Sequence, residues 1–564
     1  MDGKESGMET EAKAVESKPV MRHRWAIAVA GAVIVPIVIL AIIEVGLRLA
    51  GVGFTTDLLV PCTVKGQPAS CYNLFFATPY FPAGMVQTPR LYEIPATKPP
   101  GTFRIFVLGE SAAMGDPDSG YAFSRYLEVM LRERFPSTRV EVVNTGSVAI
   151  NSHVLLEIAK GLADQKPDLF IIYSGNNEVV GPYGPGTMLT SVGMDIPLVR
   201  SSIFFRSTRI GQLLSRLGTR KQEWRGMEMF LDQQLRADSP LMAHAYRNYE
   251  RNLRDTIAVA QQAGAKVIVS TVATNLKDCA PFASLHREGL KPDELKSWTA
   301  LVEQGNNLET AQDYAGALKQ YESAAKVDDE YAELEFRIAR CLLGVADFKS
   351  AREHFARARD LDTLRFRADS KINGINHAAQ SVPGVKVIDA EQILSNASPE
   401  GVIGSDLVYE HVHLTPEANY ILARALFSEI AANWPASLAG SGMESGVMSE
   451  AECERRLALT PFDRSRLAND MLGRLQKPPF TNQLNHSEQM LRLAMKAAPS
   501  GESPQETVAE YQWAIAQNPD DTMLHLHYGL FLYNYNRMAA AEQLGLAQPW
   551  DGYPVFLPDG TQVR

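Results

Sequence analysis

The chain has 564 residues, enough for about three or four domains. With 45% hydrophobic and 21% charged residues it has the composition of a protein that buries large cores. A formal net charge of −10 argues against nucleic acid as a partner, because neutralising phosphates needs a concentrated positive field. No zinc-type Cys/His spacing and no glycine-rich phosphate loop occurs in the sequence. No metal and no cofactor is therefore expected, and the chemistry has to come from side chains.

Residues 1–24 read as a polar, disordered cytoplasmic tail, with Glu and Lys frequent up to Val20. Trp25 to Ile43 is an uncharged apolar run. As a helix rising about 1.5 Å per residue it would cross most of a ~30 Å hydrocarbon core, which gives a single transmembrane helix over 25–48. Arg22 and Arg24 flank its start and place that end in the cytoplasm. Glu44 and Arg48, one turn apart at the far interface, are set to pair. A cleaved signal peptide is the competing reading, but its apolar region spans only about 7–15 residues and ends at a small-residue cleavage site. An uncleaved anchor is favoured, with the bulk of the chain in the periplasm or outside the cell. Residues 49–100 then form an extracytoplasmic linker. Within it, Cys62 and Cys71 in VPCTVKGQPASC suit a small disulfide loop in an oxidising compartment. Cys279, Cys341 and Cys453 have no evident partner, and all five cysteines stay reduced if the orientation is reversed.

From Thr102 the pattern alternates. Short apolar runs at Ile105–Leu108, Val140–Val143, Leu169–Ile172, Lys266–Val272 and Val385–Ile388 read as buried strands. Helical spacing over Tyr121–Phe135, Ser152–Gln165 and Tyr246–Ala263 separates them. This predicts right-handed crossovers, a parallel sheet and a three-layer α/β domain. The first strand closes on Gly109 and leads to Ser111 in RIFVLGESAAMG, at the carboxyl end of a parallel strand, where open α/β sheets bind ligands. A nucleophile and a plain helix cap are both open there. The α/β-hydrolase nucleophile elbow is not matched, since Ala113 stands where its second glycine belongs.

Three later segments carry more. NTGSVAIN follows the second strand, YSGNNE follows the third, and EHVH precedes the helical run LTPEANYILARAL. Gly-Glu-Ser, two Asn-bearing glycine turns and an acid three residues before a histidine, in this order, resemble the SGNH (GDSL-like) hydrolase family over about two-fifths of the chain. The resemblance implies a flavodoxin-like parallel sheet and acyl-transfer chemistry without metal or cofactor. Ser111 would be the nucleophile, His413 the base and Glu410 the orienting acid, where the family more often has Asp. Asp406 and His411 compete for the last two roles. The oxyanion hole would use the Ser111 N–H, the Ala149 N–H and the side chain of Asn177 rather than Asn176. Ala149 replaces the family glycine and serves if its φ stays negative; Gly146 is the fallback donor. Glu178 would support the site structurally. The implied substrate is an ester, for example an O-acyl group on an extracytoplasmic glycan or lipid. An O-acyltransferase and a non-catalytic scaffold are the alternatives, the latter favoured by Ala149 and Glu410.

Two regions fall outside this pattern. Gly181–Ser239 carries Phe204, Phe205, Trp224 and Phe230 among basic residues including Arg220 and Lys221. A lid over the site, a membrane-surface segment and a pair of solvated helices are all open for it. In Leu301–Leu361, Gly305, Leu308, Ala317, Tyr321 and Ala324 recur 34 residues later as Ala339, Leu342, Ala351, Phe355 and Ala358. That period resembles the tetratricopeptide repeat and suggests protein partners. A looser match uses Tyr511, Ala514, Pro519, Gly529, Leu532 and Ala541. The resulting division is an SGNH-like domain over 101–295 and 363–435, inserted repeats over 296–362, a linker over 436–480, C-terminal repeat-like helices over 481–548 and a tail over 549–564.

Overall fold

The computed structural model describes residues 19–82, 84–87, 90–188, 194–218, 223–433, 446–499 and 501–563. The tail before residue 19, Arg220, Lys221 and the Gly/Ser-rich stretch 434–445 lie outside the described residues. The chain divides into two compact units, residues 1–55 with 202–219, and residues 56–201 with 220–564.

In the first unit a single helix runs Pro19–Leu49, starting before the expected residue 25. Its stretch Gly31–Leu49 has a mean hydropathy of 2.5 and is long and apolar enough to cross a membrane. Glu44 pairs with Arg48 at 2.8 Å. The same carboxylate accepts the N–H groups of Arg209 (3.0 Å) and Ile210 (3.1 Å). It thereby satisfies two of the four free donors at the start of the helix Arg209–Gly218. Gln212 fixes the same helix by accepting from the Phe54 N–H and donating to its carbonyl.

The second unit opens with three antiparallel strands, β1 (Leu59–Val64), β2 (Gln67–Tyr72) and β3 (Glu93–Pro95). Cys62 and Cys71 are bridged across the β1–β2 hairpin, while Cys279, Cys341 and Cys453 are free and buried. The expected linker is thus a small sheet with its own core of Tyr72, Phe76, Tyr80 and Tyr92. The C-terminal tail is also ordered: the Asp551 carboxylate accepts the N–H groups of Lys65 and Gly66 in the hairpin turn.

The central sheet comprises β4 (Thr102–Gly109), β5 (Arg139–Asn144), β6 (Leu169–Tyr173), β7 (Lys266–Ser270) and β8 (Val385–Ile388). All neighbours are parallel, in the order β5-β4-β6-β7-β8. This is the doubly wound order whose direction reverses beside the first strand, so a crevice opens at the carboxyl ends of β4 and β6. The register pairs Gly109 with Tyr173 and Tyr173 with Ser270, which sets three strand ends side by side. The apolar runs are buried because helices such as Phe123–Arg134, Ser152–Leu162 and Pro240–Gln262 cover the sheet.

Between β7 and β8 the chain makes two antiparallel helix pairs, Pro292–Thr310 with Tyr314–Ala325 and Ala332–Gly344 with Phe348–Leu361. The residues recurring at 34 are their contact points: Ala317, Tyr321, Ala324, Ala351, Phe355 and Ala358 are buried. A Cβ on Gly305 would lie 2.3 Å from the Tyr321 ring, so this crossing requires glycine. The pairs share one apolar cluster with Leu276, Ala280 and Val402 of the α/β domain, so they lean on it.

The segment 446–480 is not a linker. It forms the helices Glu450–Leu457 and Pro461–Leu475. Ser449 and Thr460 cap them by accepting from the N–H groups of Glu452 and Asp463, and Pro461 occupies the first turn. Leu467, Ala468, Met471 and Leu475 are buried at helical spacing. Four more helices follow between His486 and Leu546.

Candidate active site

At the end of β4, a Cβ on Gly109 would lie 2.2 Å from the Tyr173 carbonyl oxygen, so only glycine lets the two strand ends close up. Glu110 turns inward, and its carboxylate accepts the N–H groups of Gly175 (3.0 Å), Asn176 (2.8 Å) and Asn177 (3.2 Å). Burial pushes its pKa up, with the Glu178 carboxylate adding to the effect and the three donors opposing it. Ser111 opens the short helix Ser111–Met114, in which Glu110 is the cap residue. The Ser111 hydroxyl is not spent on a cap. Its Oγ lies 2.8 Å from Nε2 of His413.

His413 sits on a tight loop fixed by the Val408–Leu414 bridge, by the Tyr409 N–H on the His413 carbonyl and by the Asn275 N–H on the His411 carbonyl. Inside this loop Glu410, 0% exposed, places one carboxylate oxygen on Nδ1 of His413 and the other on Nδ1 of His411. The Val412 N–H also donates to it. The extra methylene relative to Asp lets the carboxylate reach both rings from within the loop. Burial alone would raise its pKa, but the two imidazoles outweigh that and hold it well below the usual carboxylate range. Burial lowers the pKa of His411 against the pull of Glu410. His411 therefore shares the carboxylate without reaching Ser111. Asp406 is elsewhere: it lines a separate cavity of about 750 Å³ with Lys277 and Tyr314, and its expected competition for the acid role does not occur.

Glu410, His411 and His413 converge closely enough to face one ion, as do Glu417, Glu450 and Glu454 among the described residues. His413 turns Nδ1 to Glu410 and Nε2 to Ser111, so carboxylate, imidazole and hydroxyl stand in one hydrogen-bonded chain.

Ser111, Ala149, Asn177 and His413 line one cavity of about 950 Å³, with Trp224, Phe230, Phe366 and Phe480 on its apolar walls. The Ser111 N–H, the first of its helix, has no carbonyl one turn back to accept it. The Asn177 side chain donates one N–H to the Ile150 carbonyl at 3.1 Å, which fixes its amide and leaves a second N–H. Asn176 is used differently, its side-chain oxygen accepting the Ala368 N–H. Gly146 is excluded as a fallback donor because its N–H is taken by Asn144 Oδ1 at 3.0 Å. Ala149 has φ 59°, so the condition of a negative φ is not met: alanine instead holds the left-handed backbone that glycine favours, at a cost of about 1–2 kcal/mol, and its N–H keeps the direction a glycine there would give it. Glu178 braces the next element, accepting the N–H and hydroxyl of Ser152 at the start of the helix Ser152–Leu162.

Two residues on the cavity wall escaped the sequence reading, Asp116 and Arg474. Nothing periodic marks Asp116 in its loop, and Arg474 lies on the helix Pro461–Leu475, whose signal is its Thr460 cap and the Leu467–Met471–Leu475 spacing. The basic aromatic segment also divides: Trp224 and Phe230 line the cavity, whereas Phe204 and Phe205 are exposed in the unit that contains the long apolar helix.

No known protein-family model matches the chain, and no curated protein matches it. Solved structures do. A GDSL-like lipase from Bacteroides thetaiotaomicron aligns at 10% identity and TM-score 0.26, over 59% of this chain and 89% of its own. The acetyl xylan esterase AlAXEase aligns at 11% identity and TM-score 0.25, over 58% and 100%. LAE5, an α/β hydrolase enzyme from the metagenome of Lake Arreo, Spain, aligns at 12% identity and TM-score 0.28, over 63% and 99%.

Proposed function

We propose that the protein is a membrane-anchored, SGNH-type serine esterase, with Ser111 as nucleophile, His413 as general base and Glu410 as the acid that orients it. The observation that carries this reading is the contact of Ser111 Oγ with His413 Nε2 at 2.8 Å, backed on Nδ1 by a carboxylate shut off from water. A proton on Nδ1, donated to Glu410, leaves the Nε2 lone pair for the serine O–H. As Oγ bonds to the ester carbonyl carbon, its proton passes to Nε2. The carbonyl oxygen becomes an oxyanion facing the N–H groups of Ser111 and Ala149 and the Asn177 amide. Collapse breaks the bond to the alcohol, which takes the proton from Nε2. Water then repeats the sequence on the acyl-enzyme and restores Ser111.

The substrate class we assign is an O-acyl ester on an extracytoplasmic glycan or lipid, reached from the anchor Gly31–Leu49. The bridged pair Cys62–Cys71 supports an oxidising compartment. The helix pairs between β7 and β8 are read as tetratricopeptide-type repeats that recruit protein partners, supported by their 34-residue spacing and their buried small and aromatic contacts.

The test is labelling of the full chain in its native membrane with a fluorophosphonate, followed by hydrolysis of a short-chain acyl ester. Labelling and turnover that vanish in Ser111→Ala and in His413→Ala support the assignment. Turnover retained by a folded Ser111→Ala protein refutes it.

A further inference from the structure

Nε2 of His413 has a second neighbour besides the serine hydroxyl. Asp116 brings Oδ2 to 3.2 Å from the same nitrogen. Arg474 grips that carboxylate with both arms, Nη1 on Oδ2 at 2.7 Å and Nη2 on Oδ1 at 2.9 Å, while Nη1 stands 3.3 Å from Nδ1 of His413. Arg474 belongs to the helix Pro461–Leu475, outside the sheet that carries Ser111. The other charged or titratable groups facing this centre are Glu410 and His411 on the histidine's own loop, Arg367 beside His411, Asp470 one turn before Arg474, and Lys477, Arg225 and Glu228 on the walls of the same cavity.

We propose that Arg474 is a positioning residue which, by occupying both oxygens of Asp116, keeps that carboxylate from competing with Ser111 for Nε2 of His413. The inference rests on the serine–histidine reading given above. An ionised carboxylate at this range stabilises the imidazolium, and an opposite charge within ~4–6 Å shifts a pKa by about 1–3 units. An imidazolium cannot accept the serine proton. The bidentate guanidinium cancels most of that field and ties down the carboxylate lone pairs. Burial would raise the Asp116 pKa, but His413 and Arg474 together hold it below the usual range, so the carboxylate is charged at neutral pH and has to be managed. A helix from the C-terminal region therefore holds the second carboxylate that faces a histidine of the α/β domain.

The experiment follows the full chain in detergent, labelled with [13Cε1]histidine, the His413 resonance being assigned by its loss in His413→Asn. Its titration midpoint is measured in wild type, Arg474→Met, Asp116→Asn and the double variant, alongside the pH dependence of fluorophosphonate labelling. In Arg474→Met the midpoint rises by about one unit or more. Labelling at neutral pH falls about tenfold and recovers at higher pH, because the lost species is the free base. The double variant returns the midpoint toward wild type, which a merely structural role for Arg474 would not do. An unmoved midpoint in Arg474→Met, or one raised equally in the double variant, overturns the proposal. Should Arg474→Met not fold, Asp116→Asn alone decides: its midpoint must fall below wild type. A shifted midpoint with no labelling in wild type would leave the Arg474 assignment standing and remove the serine-hydrolase reading. Ser111-dependent labelling with an unmoved midpoint would remove only the role of Arg474.

Discussion

The backbone N–H of Asn177 donates to the carboxylate of Glu110 at 3.2 Å, and the same carboxylate also takes the N–H groups of Gly175 and Asn176. The middle residue of Gly-Glu-Ser thus ties the turn bearing the candidate oxyanion amide to the strand bearing the candidate nucleophile. Glu110→Ala would leave three buried donors unpaired, at about 1–3 kcal/mol each before relaxation. We expect a loss of about 3 kcal/mol in unfolding free energy and at least a hundredfold loss in kcat, with KM little changed because the substrate cavity is lined by other residues. Glu110→Gln, which keeps one acceptor oxygen, should recover part of both. Urea unfolding and steady-state kinetics on a short-chain ester check this, and equal effects of Ala and Gln would refute it.

Ala149 gives a prediction of the opposite sign. Its φ of 59° is a conformation that glycine adopts freely. Ala149→Gly should stabilise the protein by about 1 kcal/mol with esterase activity equal or higher, since the N–H stays where it is. Ala149→Val adds β-branching at positive φ and should cost both stability and activity. Urea unfolding and ester kinetics check this, and a less stable or less active Ala149→Gly protein would refute it.

The parts of this site that a sequence reader could find share one property: they are local. The run Val385–Ile388 is both the predicted and the observed strand β8, and Ser111 and His413 each follow an apolar strand or precede a capped helix. Asp116 and Arg474 are joined across hundreds of residues by an ion pair that no periodicity encodes. The Gly/Ser-rich composition ends before Ser449, and the apolar spacing of Leu467, Met471 and Leu475 beyond it, with Ser449 and Thr460 as caps, marks the helices that a linker over 436–480 leaves out. The sign of φ at Ala149 depends on the path of a turn between β5 and the next helix, which the alanine itself disfavours.

His153 and Glu178 make opposing contributions to stability as pH changes. Burial, aided by the charge of Arg200, lowers the His153 pKa to about 4 from 6.5. Burial raises that of Glu178 to about 7 from 4.5, against hydrogen bonds from Ser152. For His153 the unfolded chain binds more protons between about pH 6.5 and 4, so its contribution is lost as pH falls through that window. For Glu178 the folded chain binds more protons between about pH 4.5 and 7, so its contribution is lost as pH rises. Each is worth about 3 kcal/mol at full extent, and in the wild type they largely cancel. Relative to wild type, Glu178→Gln should therefore gain stability as pH rises from 4.5 to 7, and His153→Gln should gain it as pH falls from 6.5 to 4. Urea midpoints at several pH values read both, and parallel profiles for all three proteins would contradict the assignment.

The helix pairs between β7 and β8 offer the last test, because one residue at their border belongs to the site's support. Asp362 accepts the N–H groups of Phe282 and Ala283 and pairs with Arg367 at 3.0 Å. Arg367 in turn donates to the carbonyls of Asn275 and Cys279. Asn275 donates its N–H to His411, next to the loop that positions His413. The repeats themselves touch the α/β domain through apolar packing on Leu276, Ala280 and Val402 and through the ion pairs Arg359–Glu391 and Glu330–Arg236. Replacing residues 292–361 by a flexible linker, with Asp362 kept, should give a folded but less stable protein whose small-ester activity stays within about tenfold, a change of ~1.4 kcal/mol in the barrier. Extending the deletion through Asp362 strands a buried guanidinium and three backbone donors, those of Phe282, Ala283 and Leu364, and activity should fall far further. Circular dichroism, gel filtration and ester kinetics on the two deletions separate the outcomes. Equal activity in both would show that Asp362 does not support the histidine loop, and loss of all activity in the shorter deletion, with the fold intact, would make the helix pairs part of the catalytic architecture.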